Sequence, residues 1–261
     1  MRRILSSPPR RIQSVGRATD ILFAIARARQ PLSPSEVAAQ LGLERTTVHR
    51  LMVTLAASRL LRFDPETRKY RIGVGAFELG SAYLRGQVDD RVVERIVAQL
   101  VDEVRQTCSL GALVGDEVII MVAREAGEAL TVNSRAGDRL PAHATAIGKL
   151  FLAERPDAEV RQFLEATGMR RLTPHTITTV GAFLQELTQV RAQGVAFARE
   201  EALIGVGSMG VTVRRADGQL VAGLVVAPPA QFATDETFAK LLPPLRRAAK
   251  RIEAAGVVEP P

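Results

Sequence analysis

Tryptophan is absent from the 261 residues, tyrosine occurs twice and cysteine once, at Cys108. A single cysteine excludes an intramolecular disulfide framework and a multi-cysteine zinc site. The three histidines, His49, His143 and His175, show no metal-ligand spacing, so neither a metal nor a cofactor is expected. No apolar run approaches the roughly 20 residues that cross a bilayer, and the first residues lack the apolar centre of a secretory signal. These absences fit a reducing, cytoplasmic setting with no membrane partner. Catalytic constellations are missing too. Ser208 sits in Gly207-Ser208-Met209-Gly210, without the Gly-x-Ser-x-Gly of a nucleophile elbow. Gly205-Val206-Gly207 lacks the third glycine and opening helix of a dinucleotide fingerprint. Glu200-Glu201 reads as a solvated acidic pair in a loop. The chain is therefore read as a non-enzyme.

What is present is charge of one sign, in one place. The net charge is +7. Residues 1–80 hold 14 Lys and Arg against 6 Asp and Glu, a net of +8, whereas the rest is nearly neutral. Such asymmetry suggests one module that faces a polyanion and one that does not. Residues 1–11, basic and carrying Pro8-Pro9, read as a disordered arm.

Apolar spacing predicts a first helix over 14–29, with Ile21, Leu22, Ile25 and Ala28 on one stripe. Ser33-Pro34-Ser35-Glu36 then carries a capping box with proline at the first helical position. Gly42 suits a left-handed helix end. A third helix is expected over 44–58, burying Val48, Leu51, Met52 and Leu55. Residues 60–63 and 69–72 flank the turn signal Asp64-Pro65-Glu66-Thr67 and read as a hairpin, or wing. A linker helix follows at 75–85. Beyond it come a helix at 92–107, strands at 109–115, 118–124, 129–134, 195–199, 208–214 and 219–226, and helices at 143–153, 157–166, 180–193 and 234–255. Asp217-Gly218 marks a hairpin. The fold class is α+β: a winged helix-turn-helix over 12–74, a linker over 75–90, and an antiparallel sheet with flanking helices over 91–256.

Two helices joined by Leu41-Gly42-Leu43 have helix-turn-helix spacing, and the major groove admits one helix that presents donors and acceptors. The candidate DNA contacts are Arg17, Ser33, Arg45, Thr46, Thr47, His49 and Arg50, with Arg62, Arg68, Lys69 and Arg71 in the wing. Arginine can take the O6/N7 edge of guanine, and basic wing residues can follow phosphates. The partner they imply is a double-stranded operator.

The segments Ser14-Val15-Gly16-Arg17-Ala18 and Leu41-Gly42-Leu43-Glu44-Arg45-Thr46-Thr47-Val48-His49-Arg50-Leu51 resemble the winged helix of the isocitrate-lyase-regulator (IclR) family. Leu140-Pro141-Ala142-His143-Ala144-Thr145-Ala146-Ile147-Gly148-Lys149 and the stretch from Gly194 to Gly218 resemble that family's effector domain. The resemblance spans about residues 12–256. It implies a GAF-like effector domain, a homodimer through the winged helix and linker, often a dimer of dimers, and a small-molecule effector. It places the effector pocket at Val132, Leu140, Ala146, Ile147, Ala198, Ser208, Val225 and Ala227. Members that bind small carboxylates carry an acidic residue where Ala198 stands and hydroxyls where Val225 and Ala227 stand. Here only Ser208 is polar among the eight, and an unpaired polar ligand group loses roughly 1–3 kcal/mol. A less polar effector, aromatic or a longer aliphatic acid, is expected. The free N–H groups where the helix over 143–153 begins are expected to favour an anion. Arg124, Arg135 and Arg139 are read as surface charges.

Two other readings of the residues stand beside this one. One is an enzyme with a nucleic-acid-binding appendage. The other is an adaptor using its winged helix for protein contacts.

Overall fold

The computed structural model describes residues 12–28, 30–86, 90–128 and 130–256, and the side chains of 81–90 are outside that description. The arm at 1–11 and the side chain of Tyr83, an expected apolar position of the linker helix over 75–85, therefore lie outside what is described. The chain forms two compact units, Met1–Gly86 and Gln87–Pro261.

The first unit contains α1 (Gln13–Arg27), α2 (Pro34–Leu41), α3 (Arg45–Ala57), β1 (Leu61–Asp64), β2 (Lys69–Ile72) and α4 (Val74–Gly86). Its helix ends follow the local chemistry. The Glu36 amide donates to the Ser33 hydroxyl at 3.3 Å, and the Ser33 amide donates to Glu36 Oε2 at 2.6 Å. Gly42 ends α2 at φ +63°, a conformation that L side chains rarely adopt. Ile21, Ile25, Val37, Val48 and Met52 close a core with Leu61 and Tyr70 of the wing. Leu32 exchanges two backbone hydrogen bonds with Tyr70, at 3.0 and 2.8 Å, and so fastens the α1–α2 connection to the hairpin.

The second unit contains α5 (Asp90–Val104), β3 (Thr107–Val114), β4 (Glu117–Arg124), β5 (Arg139–Pro141), α6 (Ala146–Ala153), α7 (Asp157–Thr167), α8 (Val180–Gln193), β6 (Val195–Arg199), β7 (Gly207–Arg214), β8 (Leu220–Ala227) and α9 (Asp235–Ala255). The sheet is antiparallel, in the order β5-β4-β3-β8-β7-β6. Alternation divides its two faces. Cys108, Leu110, Met209, Val211, Leu224 and Val226 meet α5 and α9. Val225 and Ala227 point the other way, into the core built by α6, α7 and α8. Helix α6 lies close against that face because glycines lie beneath it. A Cβ on Gly223 would meet Ile147 at 3.2 Å, and one on Gly210 would meet Leu150 at 3.3 Å; within α6 itself, a Cβ on Gly148 would fall 2.0 Å from the carbonyl oxygen of Ala142 in the preceding turn.

Three expectations change. Residues 130–134 form no strand, because the slot beside β4 is filled by residues 137–141. Glu117, Val118 and Ile119 pair with Pro141, Leu140 and Arg139, and the Ile120 amide donates to the Asp138 carbonyl at 2.9 Å. The segment at 131–132 is held instead by Thr107, whose hydroxyl donates to the Val132 carbonyl at 2.7 Å. The helix expected over 92–107 stops at Val104, where Arg105 turns left-handed at φ +54° and β3 begins. The helix expected from 143 begins at Ala146, after a single 3-10 turn over Ala142–Ala144.

That turn buries His143, which is 5% exposed. Burial lowers its pKa below the ordinary 6.5, and the nearby charge of Arg170 acts in the same direction, whereas the hydrogen bond between its Nε2 and the Arg170 carbonyl (3.1 Å) opposes the shift. Below pH 6.5 the unfolded histidine takes a proton that the folded one resists. The contribution to stability is complete above pH 6.5 and is lost as pH falls through the folded value. Urea unfolding should therefore show a midpoint that drops between about pH 7.5 and 5. His143→Gln, which retains an N–H for the Arg170 carbonyl, should give a shallower drop.

Candidate effector cavity and nucleic-acid interface

Helix α3 places Arg45, Thr46, His49 and Arg50 on its exposed side, with Thr47 half-buried and Val48 buried in the core. Its N-terminus is capped by Glu44. The carboxylate accepts from the amides of Thr46 (3.3 Å) and Thr47 (3.2 Å) and from both hydroxyls, at 3.1 Å for Thr47. These bonds, the Thr46 and Thr47 hydroxyls first, hold the exposed Glu44 carboxyl below its usual range. The threonine hydroxyl protons are thus committed. Toward DNA, Thr46 and Thr47 can offer acceptor oxygens and methyl groups, but not a hydroxyl proton to a phosphate without breaking the cap.

In the wing, Arg62 stands directly opposite Arg71 on one face of the hairpin, and both are exposed. Like charges in direct register repel unless an anion lies between or over them. Arg68 ends the turn at φ +53°, exposed. Lys69 differs from its neighbours: its Nζ pairs with Glu36 Oε1 at 3.1 Å, so a phosphate would have to share it. Arg17 is half-buried, and Ser33 is engaged in the cap of α2.

In the second unit, all eight expected effector positions line one cavity of about 340 Å³. Val132 precedes β5, Leu140 lies in β5, Ala146 and Ile147 open α6, and Ala198, Ser208, Val225 and Ala227 come from β6, β7 and β8. Ala198 pairs with Ser208 across the sheet. The volume falls in the range of small-molecule pockets, about 300–1,000 Å³. Val118 and Ile120 add further apolar wall.

The cavity also contains polar groups that the sequence reading missed. Ser109 lies across from Val225. The strand alternation could have located it, since its neighbours Cys108 and Leu110 face the opposite core. Asn133, Ser134 and the carboxylate-bearing Asp138 also reach the wall. Arg139, read as a surface charge, is half-buried in the wall and donates to Glu117 Oε2 at 2.9 Å. Arg124 and Arg135 are exposed. The anion site expected where the helix begins is partly occupied from within: the Thr145 hydroxyl accepts from the Gly148 amide at 3.0 Å.

Glu201 requires the largest correction. It is not solvated but 7% exposed, and it belongs to the cavity wall. Its Oε1 accepts from Lys149 Nζ at 2.6 Å. Lys149 is fully buried and also donates to Glu186 (2.9 Å) and to the Phe197 carbonyl (2.7 Å). Burial pushes the Glu201 carboxyl upward, and the Lys149 charge opposes that shift. Glu200, its neighbour, turns outward to accept from the Gly205 amide at 2.8 Å. Among the described residues, no cluster of three or more His, Cys, Asp or Glu is placed to hold a metal, and no helix is long and apolar enough to cross a membrane.

Comparison with known proteins matches both units. Residues 14–65 match the IclR helix-turn-helix domain, and residues 86–254 match the bacterial transcriptional regulator IclR C-terminal domain. The chain is 31% identical to the HTH-type transcriptional regulator BhcR of Paracoccus denitrificans, over 92% of this chain and 86% of that one. It is 31% identical to the HTH-type transcriptional regulator KdgR of Escherichia coli, over 96% and 95%. Among solved structures, an IclR homologue from Microbacterium hydrocarbonoxydans complexed with 4-hydroxybenzoate superposes with a TM-score of 0.78 at 26% identity, covering 93% of this chain and 98% of that one. These relatives are regulators rather than enzymes. With a helix-turn-helix joined to this sheet-and-helix domain, the chain belongs to the IclR family of DNA-binding transcriptional regulators.

Proposed function

We propose that the protein is a homodimeric regulator whose operator affinity is set by a relatively apolar, aromatic organic acid held in the 340 Å³ cavity. The observation that carries the effector reading is the wall itself. Val118, Ile120, Val132, Leu140, Ile147 and Val225 give it broad apolar surface, and Arg139, which a carboxylate would share with Glu117, places positive charge in the wall. A two- or three-carbon acid would leave most of that wall uncovered. The relative with 4-hydroxybenzoate bound supports the same ligand class.

Surface chemistry supports dimerisation. Val15 on α1 and Val74, Phe77 and Leu79 on α4 are 59–73% exposed in the isolated chain. Exposed apolar side chains on these two helices offer area that a partner can bury. A two-fold dimer presents two recognition helices to two half-sites, so half-site spacing mirrors the protein's symmetry. A dimer of dimers is the higher assembly that the family resemblance suggests. The effector shifts operator affinity only by binding one arrangement of the dimer better than the other.

On the DNA side, Arg45→Ala and Arg50→Ala should each weaken operator binding by about 1–3 kcal/mol, with loss of sequence preference. Anisotropy titrations with operator and random duplex measure both effects. Unchanged operator binding in the double variant would show that another face reads the bases. On the effector side, calorimetry with benzoate-type acids should give saturable binding, with none for glyoxylate or pyruvate. The reverse pattern would overturn the ligand class.

A further inference from the structure

Among the described residues, one buried side-chain nitrogen or oxygen atom has no hydrogen-bond partner: Oε2 of Glu201. Buried polar atoms are almost always paired, and an unpaired carboxylate oxygen carries a desolvation cost. Its twin, Oε1, is fully used, accepting from Lys149 Nζ at 2.6 Å and from the Arg199 amide at 3.4 Å. Lys149 cannot serve both oxygens, because Glu186 and the Phe197 carbonyl take its other protons. The loop that covers Glu201, through Ala202, Leu203 and Val206, lends only apolar side chains to the same wall.

The position of Glu201 in the cavity adds the second half of the argument. Arg139 comes from β5 at one edge of the sheet, and Glu201 follows β6 at the other edge. Both line one cavity, and Glu201 also borders a second hollow with Glu186, Phe197 and Phe238. An occupant that spans the shared cavity meets Arg139, shared with Glu117, near one end and a buried carboxylate near the other. A second carboxylate at the Glu201 end would be repelled, and a purely apolar end would leave Oε2 unpaired.

We infer that Glu201 is a specificity-determining residue of the effector cavity, whose Oε2 accepts a hydrogen bond from a hydroxyl or amino group that the acid carries away from its carboxylate, once the bound acid opens the packing that now leaves that oxygen almost no accessible surface. This rests on the effector cavity proposed above and narrows its ligand from aromatic acids in general to those bearing a donor. A carboxylate oxygen waiting for a donor separates a hydroxyl from a methoxy group of similar size, since the methoxy oxygen has no proton to give.

The test is calorimetry on the full-length protein with benzoate, 3- and 4-hydroxybenzoate, and 3- and 4-methoxybenzoate. The wild type should bind at least one hydroxybenzoate about tenfold or more tightly than its methoxy counterpart. Glu201→Gln keeps an oxygen for Lys149, and the Lys149 ammonium turns the amide so that its N–H₂ replaces Oε2 and presents a donor. The hydroxy-over-methoxy ratio should fall to about one or invert. Glu186→Gln also alters a partner of Lys149 but lies outside the cavity wall, and it should leave the ratio unchanged. If the wild type binds methoxybenzoates or benzoate as tightly as the hydroxybenzoates, the inference fails and the effector cavity stands. It fails equally if Glu186→Gln shifts the ratio as much as Glu201→Gln does. Binding of none of the five overturns both readings. Should Glu201→Gln not fold, Glu201→Asp, which keeps the charge for Lys149 but shortens the side chain by one methylene, takes its place: the ratio should fall, and an unchanged ratio overturns the inference.

Discussion

A lysine ammonium with no exposure to solvent fixes the architecture of the C-terminal unit. Lys149 projects from α6 to Glu201 beyond β6, to Glu186 on α8 and to the backbone of β6 at Phe197. A charge withdrawn from water is tolerated only where partners and geometry compensate it. Those three acceptors come from separate elements, so the charge can be satisfied only when α6, α8, β6 and the loop after β6 stand where they do. The start of α6, with Ala146 and Ile147, and the chain from Ala198 to Glu201 are also cavity wall. The ion cluster therefore holds the site as well as the core. Glycines under α6 make the same arrangement possible sterically, by letting the helix approach the sheet closely enough for Lys149 to reach its acceptors.

The N-terminal unit obeys a different constraint. Its core is small and apolar, and its charges are arranged outward with incomplete mutual compensation. Arg62 opposes Arg71 in the wing, and the exposed side of α3 adds Arg45, His49 and Arg50. Self-repulsion of this kind lowers the stability of the isolated unit and is relieved by a polyanion. Glu44 tempers it at one point. Its carboxylate caps α3 and places a negative charge where a phosphate would otherwise approach the helix end, leaving the arginines to direct the contact. The two units thus differ in kind: one presents exposed cations on a helix and a hairpin, and the other encloses a cavity bordered by an arginine and a buried carboxylate.

The parts legible in the sequence were those specified locally. The capping box at Ser33–Glu36, the left-handed Gly42 and the Asp217-Gly218 turn depend on residues within a few positions of one another, and the elements they bound follow. The strand expected at 129–134 had the right apolar spacing, but the edge of β4 has room for one partner, and residues 137–141 fill it. No local pattern carries that competition. The eight cavity positions were indicated by family resemblance rather than by any periodicity. Ser109 was within reach of strand alternation. The Lys149–Glu201 pair was not, because its members lie 52 residues apart and an acidic pair in a loop is ordinarily solvated. Arg139 was not placed at the cavity for the same reason: its partner Glu117 lies 22 residues away.

The dependence of the domain on the buried ammonium is tested most directly by a double-mutant cycle in urea unfolding of the full chain, following the C-terminal unit. Lys149→Met leaves the Glu201 carboxylate buried without its cation and should cost about 3–5 kcal/mol. Adding Glu201→Met removes the stranded charge and should recover most of that loss. A single variant that costs less than about 1 kcal/mol, or a double variant no more stable than the single, would show that the ion cluster does not hold this fold together.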